Sequence, residues 1–121
     1  MLDAWLALGL RATSVMVIEP QPTDALAALA ARGLQLNPPA AAARAAAAVV
    51  IAVKPQVAPD VAPTLIPYLG PDTVAVSIMA GRTLGFLAGA LTPGAALVRA
   101  MPNTPAAIGR GITVAVPNAQ V

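Results

Sequence analysis

Polar and small residues follow four apolar segments of this 121-residue chain, and these positions hold the groups that could take part in chemistry. The apolar segments have the length and composition of strands buried on both faces: Val15–Ile18, Val49–Val53, Val74–Ile78 and Ala96–Ala100. The residues behind them are Glu19-Pro20, Lys54-Pro55-Gln56, Met79-Ala80-Gly81 and Met101-Pro102-Asn103-Thr104-Pro105. Ligands of open parallel sheets bind beyond the carboxyl ends of the strands. We therefore expect these four groups to line one edge of a sheet.

Lys54 is the only lysine of the chain, and it stands between an apolar strand and Pro55. A proline restricts the residue before it to an extended conformation and can itself begin a helix. The backbone at this point is therefore stiff, and the ammonium group is expected to project from the edge of the sheet. A surface lysine whose stem lies along apolar groups is an equally good interpretation of the residue taken alone.

The other strand-end residues have a ligand-binding interpretation and a plain one. Glu19 could accept hydrogen bonds from a ribose diol, or be a solvated carboxylate at a strand end. Ala80 and Gly81 leave room for a flat ring or a backbone to approach, or simply form a turn. Asn103 and Thr104 lie between two prolines that fix the direction of their amide and hydroxyl, with or without a ligand.

Composition excludes several classes of chemistry. The chain has no histidine and no cysteine, so we expect no metal site and no Ser-His-Asp or Cys-His catalysis. Its five carboxylates are too dispersed to indicate an acid–base pair. We assign no catalytic residue. A site of this kind suits hydride transfer by a bound cofactor, where the protein supplies position and excludes water.

Charge and hydropathy limit the partners. The seven basic residues are spread singly, the net charge is +2 and aromatic residues make up 2%, so we expect no nucleic-acid partner. The longest apolar stretches are too short for a spanning helix, and the N-terminus does not resemble a signal peptide. We therefore expect no membrane partner and a cytoplasmic location. The 58% hydrophobic content indicates surfaces that other segments cover.

The pattern predicts an α/β fold: a Rossmann-like open, mostly parallel sheet with helices on both faces, incomplete at its N-terminus. The first predicted element is a helix rather than the strand that normally begins such a domain. Gly85 and Gly89 fall in the predicted helix Arg82–Leu91, where close packing on the sheet is the expected reason for them. An apolar stretch near the end, Ile112–Val116, predicts an edge strand. The predicted helices are Asp3–Leu10, Thr23–Arg32, Ala40–Ala48, Val57–Leu69 and Arg82–Leu91.

Three stretches, "VVIAVKPQ", "VSIMAG" and "VRAMPNTPAAIGRGIT", resemble in order and spacing the cofactor domain of pyrroline-5-carboxylate reductases. The resemblance extends from Val15 to Val116. It implies a Rossmann-like domain that binds NADPH or NADH and, in the whole enzyme, reduces 1-pyrroline-5-carboxylate to L-proline. It also implies that Asn103 and Thr104 lie near the nicotinamide and the substrate. The other cofactor-contacting positions that it implies are Ala52, Val53, Lys54, Pro55, Ala80 and Gly81.

The chain departs from this family at both ends. The family begins with a strand and a GxGNM-like turn, whereas "MLDAWLALGL" resembles the helix after that turn; the family also continues into a helical dimerisation domain. Residues 1–121 are therefore predicted to be a partial dinucleotide-binding domain with weak or absent cofactor binding, no reductase activity alone, and no homo-oligomer. The alternatives are a non-catalytic remnant that associates with a complete subunit, and another β-hydroxyacid-dehydrogenase-like reductase. Glu19 favours NADH, whereas a nearby Arg11 or Arg32 would favour NADPH.

Overall fold

Short helices and strands alternate along the chain in the computed structural model, which describes residues 1–42 and 46–121. The chain divides into two compact units, Met1–Ala42 and Ala43–Val121. The strands are likewise divided between a two-stranded sheet in the first unit and a four-stranded sheet in the second. The predicted α/β fold with mostly parallel strands is confirmed. The strands form two sheets, one in each unit, instead of the expected single sheet.

The first unit is built on a short parallel strand pair. Its elements are α1 (Leu2–Ala7), a 3-10 helix (Ala12–Ser14), β1 (Met16–Val17), α2 (Asp24–Ala31), β2 (Gln35–Leu36) and a 3-10 helix (Ala40–Ala42). Met16 pairs with Gln35 in a parallel register. Thr23 caps α2 by accepting a hydrogen bond from the backbone nitrogen of Leu26 at 3.4 Å, which satisfies one of the free N–H groups of the first turn.

The second unit contains the larger sheet. Its elements are β3 (Ala48–Ile51), α3 (Ala58–Val61) continued by a 3-10 helix (Ala62–Tyr68), β4 (Val74–Ser77), α4 (Leu84–Ala90), β5 (Ala96–Pro102), a 3-10 helix (Thr104–Ile108) and β6 (Thr113–Pro117). The order is β3-β4-β5-β6. β3, β4 and β5 are parallel, and β6 is antiparallel to β5. The predicted edge strand near the end of the chain is thus confirmed, and all five of its residues are exposed.

One face of the four-stranded sheet carries the core of this unit. The central strands contribute Ala75 and Leu97, which are paired in register and each 1% exposed. Leu87 of α4 is completely buried against them in the same cluster, together with Leu65 of the 3-10 helix after α3. Burying a leucine side chain contributes about 1.5–3 kcal/mol, so α4 and the segment after α3 are anchored to this face.

The helix predicted over Val57–Leu69 is wrong in type over most of its length. The α-helical part covers only α3, and residues Ala62–Tyr68 form a 3-10 helix with a proline inside it. Prolines recur here at every fourth position, as Pro59, Pro63 and Pro67. Pro59 lies in the first turn, where proline is tolerated, but Pro63 and Pro67 lack the N–H that an α-helix bonds to the carbonyl four residues earlier. The segment therefore cannot complete an α-helical ladder.

Two smaller expectations also change. Of the helix predicted over Ala40–Ala48, residues Ala40–Ala42 form a 3-10 helix, residues 43–45 lie outside the described part, and Ala48 already begins β3. Close packing does not explain the α4 glycines. A Cβ on Gly89 would meet nothing within 4 Å, and one on Gly85 would meet only the Thr83 hydroxyl at 3.7 Å.

Two polar side chains fasten the ends of the larger sheet. Thr73, 4% exposed, donates its hydroxyl to the Ala46 carbonyl and accepts from the Gly70 nitrogen at 2.8 Å, which joins the segments entering β3 and β4. Asn118 follows β6 and binds the backbone before and within β5: its side chain accepts from Leu97 at 3.0 Å and donates to Ala95 at 2.9 Å. No helix in the described part of the chain is long and apolar enough to cross a membrane.

Candidate functional site

The carboxyl ends of β3, β4 and β5 place three of the predicted groups along one edge of the larger sheet. Ile51, Ser77 and Arg99 form a row of paired residues across these parallel strands. Lys54 and Ala80 stand at the same offset beyond Ile51 and Ser77, so their turns leave the sheet side by side. The segment after β5, with Asn103 and Thr104, follows next in the strand order.

The segment after β3 forms a turn that exposes Lys54. The Lys54 carbonyl accepts a hydrogen bond from the Val57 nitrogen at 3.1 Å, which closes a four-residue turn with Pro55 at its second position. A proline is favoured there because its fixed φ matches the turn. β3 itself ends at Ile51, earlier than predicted, and Ala52 and Val53 follow it. Lys54 and Ala52 are exposed, whereas Val53 and Pro55 are half-buried.

The segment after β4 is anchored by a buried serine and ends in an exposed turn. Ser77 is completely buried, and its hydroxyl lies 3.3 Å from the Met79 nitrogen, from which it accepts. Ala80 and Gly81 then form an exposed turn. Gly81 has a φ of +69°, and a Cβ placed on it would meet nothing within 4 Å. Glycine is needed here for the backbone conformation, and the space above it is free for a ligand.

Arg82 connects the first two turns, and sequence reasoning missed it. Its Nε donates to the Pro55 carbonyl oxygen at 2.9 Å, and its Nη2 donates to the same oxygen. Its guanidinium also lies over the ring of Phe86, 4.6 Å from the centroid. Arg99 of β5 in turn donates from its Nε to the Arg82 carbonyl at 3.0 Å. Both arginines were noted only as isolated basic residues, because a backbone partner leaves no pattern in the sequence.

A cavity of about 420 Å³ adjoins these arginines. It is lined by residues 81–85 together with Arg99 and Val116. The lining includes two arginines and no acidic residue, but most of its surface is apolar. The space is largely open to solvent, and it has room for part of a ligand beside the edge.

Asn103 is used by the loop that follows β5. Its side-chain oxygen accepts a hydrogen bond from the Ile112 nitrogen at 2.9 Å, and its backbone carbonyl accepts from Ala106 at 3.0 Å. Between them runs the 3-10 helix, which ends at Ile108 and is capped by Gly109 with a φ of +71°. Asn103 and Thr104 are both exposed. The predicted amide is thus fixed in direction, chiefly by this loop rather than by the two prolines alone.

Glu19 follows β1 in the first unit and is paired there with a residue that sequence reasoning missed. Asn37, after β2, accepts from the Glu19 nitrogen and donates to the Glu19 carbonyl, both at 2.8 Å. The Glu19 carboxylate accepts from the Gln21 nitrogen at 3.0 Å. Asn37 has a φ of +47°, which asparagine tolerates better than most residues. In the sequence, the only indication of this role of Asn37 is its position before two prolines. Arg11 and Arg32 are both exposed.

A family model described as "NADP oxidoreductase coenzyme F420-dependent" matches residues 1–81. Among curated proteins, the pyrroline-5-carboxylate reductase of Escherichia coli (strain K12) is 44% identical over 70 residues, which is 58% of this chain and 26% of the relative. The family model thus extends to Gly81, in the turn after β4, and the match to the reductase leaves most of the relative's length unmatched.

Two solved structures are similar over most of the chain. The pyrroline-5-carboxylate reductase of Coxiella burnetii superposes with a TM-score of 0.82 at 27% identity, covering 98% of this chain and 45% of the other. The pyrroline carboxylate reductase of Plasmodium falciparum, solved with NADP bound, gives 0.70 at 27% identity, covering 88% and 38%. The chain spans less than half the length of these relatives.

Proposed function

Because the chain belongs to the NADP oxidoreductase, coenzyme F420-dependent, family, we propose that it supplies the nicotinamide-cofactor edge of a pyrroline-5-carboxylate reductase. One observation carries this proposal. The turns after β3 and β4, which hold Lys54 and Gly81, leave the sheet side by side and are joined by the bond from Arg82 to Pro55. Dinucleotides bind at such an edge in open parallel sheets.

The reaction proposed for the whole protein is the reduction of 1-pyrroline-5-carboxylate to L-proline. The similarity to reductases from E. coli, C. burnetii and P. falciparum supports it. When bound, NADPH or NADH would supply a hydride to the carbon of the C=N bond, while the nitrogen would take up a proton. We assign no residue of this chain as the proton donor.

The residues at the edge are proposed to bind and orient the cofactor. The exposed Lys54 ammonium offers a positive charge to an anionic dinucleotide. Ala52, Val53 and Pro55 present backbone and small apolar surface beside it, while Ala80 and Gly81 leave a flat approach for a ring. Asn103 and Thr104 lie on the next segment, where they are proposed to contact the nicotinamide and the substrate.

Glu19 is proposed to accept hydrogen bonds from the ribose diol. It follows a strand of the first unit, and its backbone is fixed by Asn37 at both N–H and carbonyl. A carboxylate at this position disfavours a 2′-phosphate and so favours NADH. The P. falciparum relative was solved with NADP. We therefore propose that either cofactor is used and test both.

The 121 residues are proposed to form one partial dinucleotide-binding domain that binds cofactor weakly and does not turn over substrate alone. The basis is their coverage of 26% and 45% of the E. coli and C. burnetii relatives. The competing hypotheses are association with a complete subunit without catalysis, and a β-hydroxyacid-dehydrogenase-like reductase acting on another substrate. Homo-oligomers are proposed for the longer relatives and not for this chain. A cytoplasmic location stays a prediction.

A titration followed by nuclear magnetic resonance tests the cofactor edge, because it detects weak binding. The isotopically labelled chain is titrated separately with NADPH and NADH. We expect saturable shifts of the Lys54, Gly81 and Asn103 amides, weakened by Lys54→Ala. Arg110→Ala is the matched control, since it removes the same charge from another exposed position. Shifts absent with both cofactors, or equally weakened by Arg110→Ala, would refute the proposal. Pull-down of a complete reductase by the chain would instead favour the association hypothesis.

A further inference from the structure

Arg82 holds the turn after β3 by its backbone. Its Nε lies 2.9 Å from the carbonyl oxygen of Pro55, 27 residues earlier in the chain, and its Nη2 donates to the same oxygen. Both residues are half-buried. Hydrogen bonds from a charged donor are stronger than neutral ones, and partial burial reduces competition from water. This contact therefore fixes one turn of the edge against the start of the next.

The Pro55 carbonyl is the backbone group of this turn that a neighbouring segment can bind. Within the turn, the Lys54 carbonyl is already bonded to the Val57 nitrogen. Proline has no N–H, so the position offers only its carbonyl to a neighbouring segment. By binding that oxygen, Arg82 fixes the peptide plane between Pro55 and Gln56, which is the central peptide of the turn that begins at Lys54. The conformation of the turn, and with it the position of Lys54, depends on that plane.

Arg82 is itself held in place on two sides. Arg99 donates from its Nε to the Arg82 carbonyl at 3.0 Å, and Arg99 is paired on β5 with Ser77 of β4. The Phe86 ring lies under the guanidinium at 4.6 Å. A continuous chain of contacts thus runs from β5 through the exit of β4 to the exit of β3. An arginine suits this role better than a lysine, because its planar group donates two bonds from one edge while its face stacks on a ring.

We propose that Arg82 is a positioning residue that sets the Lys54 turn for cofactor binding, with Arg99 as its support. The proposal rests on the function proposed above. It predicts that Arg82 acts through the conformation of the turn and not through charge alone. It also predicts that loss of Arg82 alters the edge more than it alters the rest of the fold.

The experiment measures amide hydrogen exchange and cofactor titrations for four variants of the full chain. Arg82→Ala removes the contact, and Arg82→Lys keeps the charge without the forked geometry. Arg110→Ala matches the change in charge. Thr73→Val matches a loss of stability, because Thr73 joins the segments at the opposite ends of β3 and β4. Exchange at the Val57 amide is compared in each variant with exchange at amides inside β4.

For Arg82→Ala we expect Val57 exchange to rise about tenfold relative to β4, and the apparent Kd for NADPH and NADH to rise about fivefold. Arg82→Lys should fall between wild type and Arg82→Ala. Neither control should raise the exchange ratio. Unchanged Val57 exchange in Arg82→Ala would show that Arg82 does not hold the turn. Faster exchange with an unchanged Kd would show that the turn held by Arg82 does not affect cofactor binding.

The experiment distinguishes failure of this inference from failure of the proposed function. If the wild-type chain shows no shift with either cofactor, the function proposed above and the cofactor part of this inference both fall. The exchange ratio still decides whether Arg82 sets the turn, since that measurement needs no ligand.

Discussion

The side-chain oxygen of Asn103 lies 2.9 Å from the backbone nitrogen of Ile112 and accepts its hydrogen bond. This contact closes the loop between β5 and β6 at its base, so the 3-10 helix of the loop begins and ends at fixed points. Asn103 therefore combines two functions. It shapes the loop after β5, and it stands at the edge where cofactor and substrate are proposed to bind.

Replacing Asn103 tests the structural part of this combination. Asn103→Ala removes the acceptor, and we expect exchange of the Ile112 amide to rise about fivefold, equivalent to ~1 kcal/mol. Asn103→Asp retains an oxygen at the same reach and should leave this exchange near the wild-type rate. Equal exchange in the alanine variant and wild type would contradict the role of Asn103 in closing the loop.

Thr73 is expected to be the most sensitive polar position of the larger sheet. It is 4% exposed and bonded to both Ala46 and Gly70. Thr73→Val preserves the shape but leaves a part-buried carbonyl and N–H without the hydroxyl, at a cost of about 1–3 kcal/mol. Urea unfolding followed by circular dichroism measures this loss. Thr73→Ser keeps the hydroxyl and should lose less stability; a serine variant as unstable as valine would assign the effect to packing instead.

Asn118 is expected to stabilise the pairing of β5 with β6. Its side chain bonds the Leu97 nitrogen and the Ala95 carbonyl, so Asn118→Ala leaves two part-buried backbone groups without these partners. We expect a loss of about 1–3 kcal/mol in the free energy of unfolding. The exposed neighbour Gln120 provides the control. If Gln120→Ala were equally destabilising in the same urea series, the side-chain bridge would not be the cause.

Gly89 offers a stabilising substitution. It lies in α4, and a Cβ there would meet nothing within 4 Å, so Gly89→Ala should stabilise the helix by about 1 kcal/mol. The same change at Gly81, where φ is +69°, should destabilise because alanine is strained in that conformation. Thermal melts of the two variants should therefore shift in opposite directions. A lower melting temperature for Gly89→Ala would show that α4 has a packing partner at this point.

The fold of the larger sheet followed largely from the sequence. β3, β4 and β5 lie within or next to their apolar segments, because strands buried in a parallel sheet need continuous apolar residues. The α-helix predicted after β3 did not follow, because Pro63 and Pro67 remove backbone N–H donors without interrupting the apolar pattern of the segment. β2 was missed because a strand of two residues, Gln35–Leu36, leaves no periodic signal.

The candidate site was predictable only in part. The positions of Lys54, Gly81 and Asn103 at strand ends followed from the order of apolar segments and turns. Arg82 and Asn37 did not, since each bonds a backbone group that every residue carries and that the sequence therefore cannot distinguish. Which residues contact a ligand remains a prediction, as does the role assigned to Glu19 and Thr104.

The exposure of β6 has a consequence for handling the protein. This last strand of the sheet order has five exposed residues, and residues 111–121 have no charged side chain. Natural sheets discourage strand addition at such edges with lysines, bulges or covering segments. Concentrated solutions of the chain should therefore aggregate through β6. Light scattering before and after Val114→Lys would measure how much of the colloidal instability arises from this single strand.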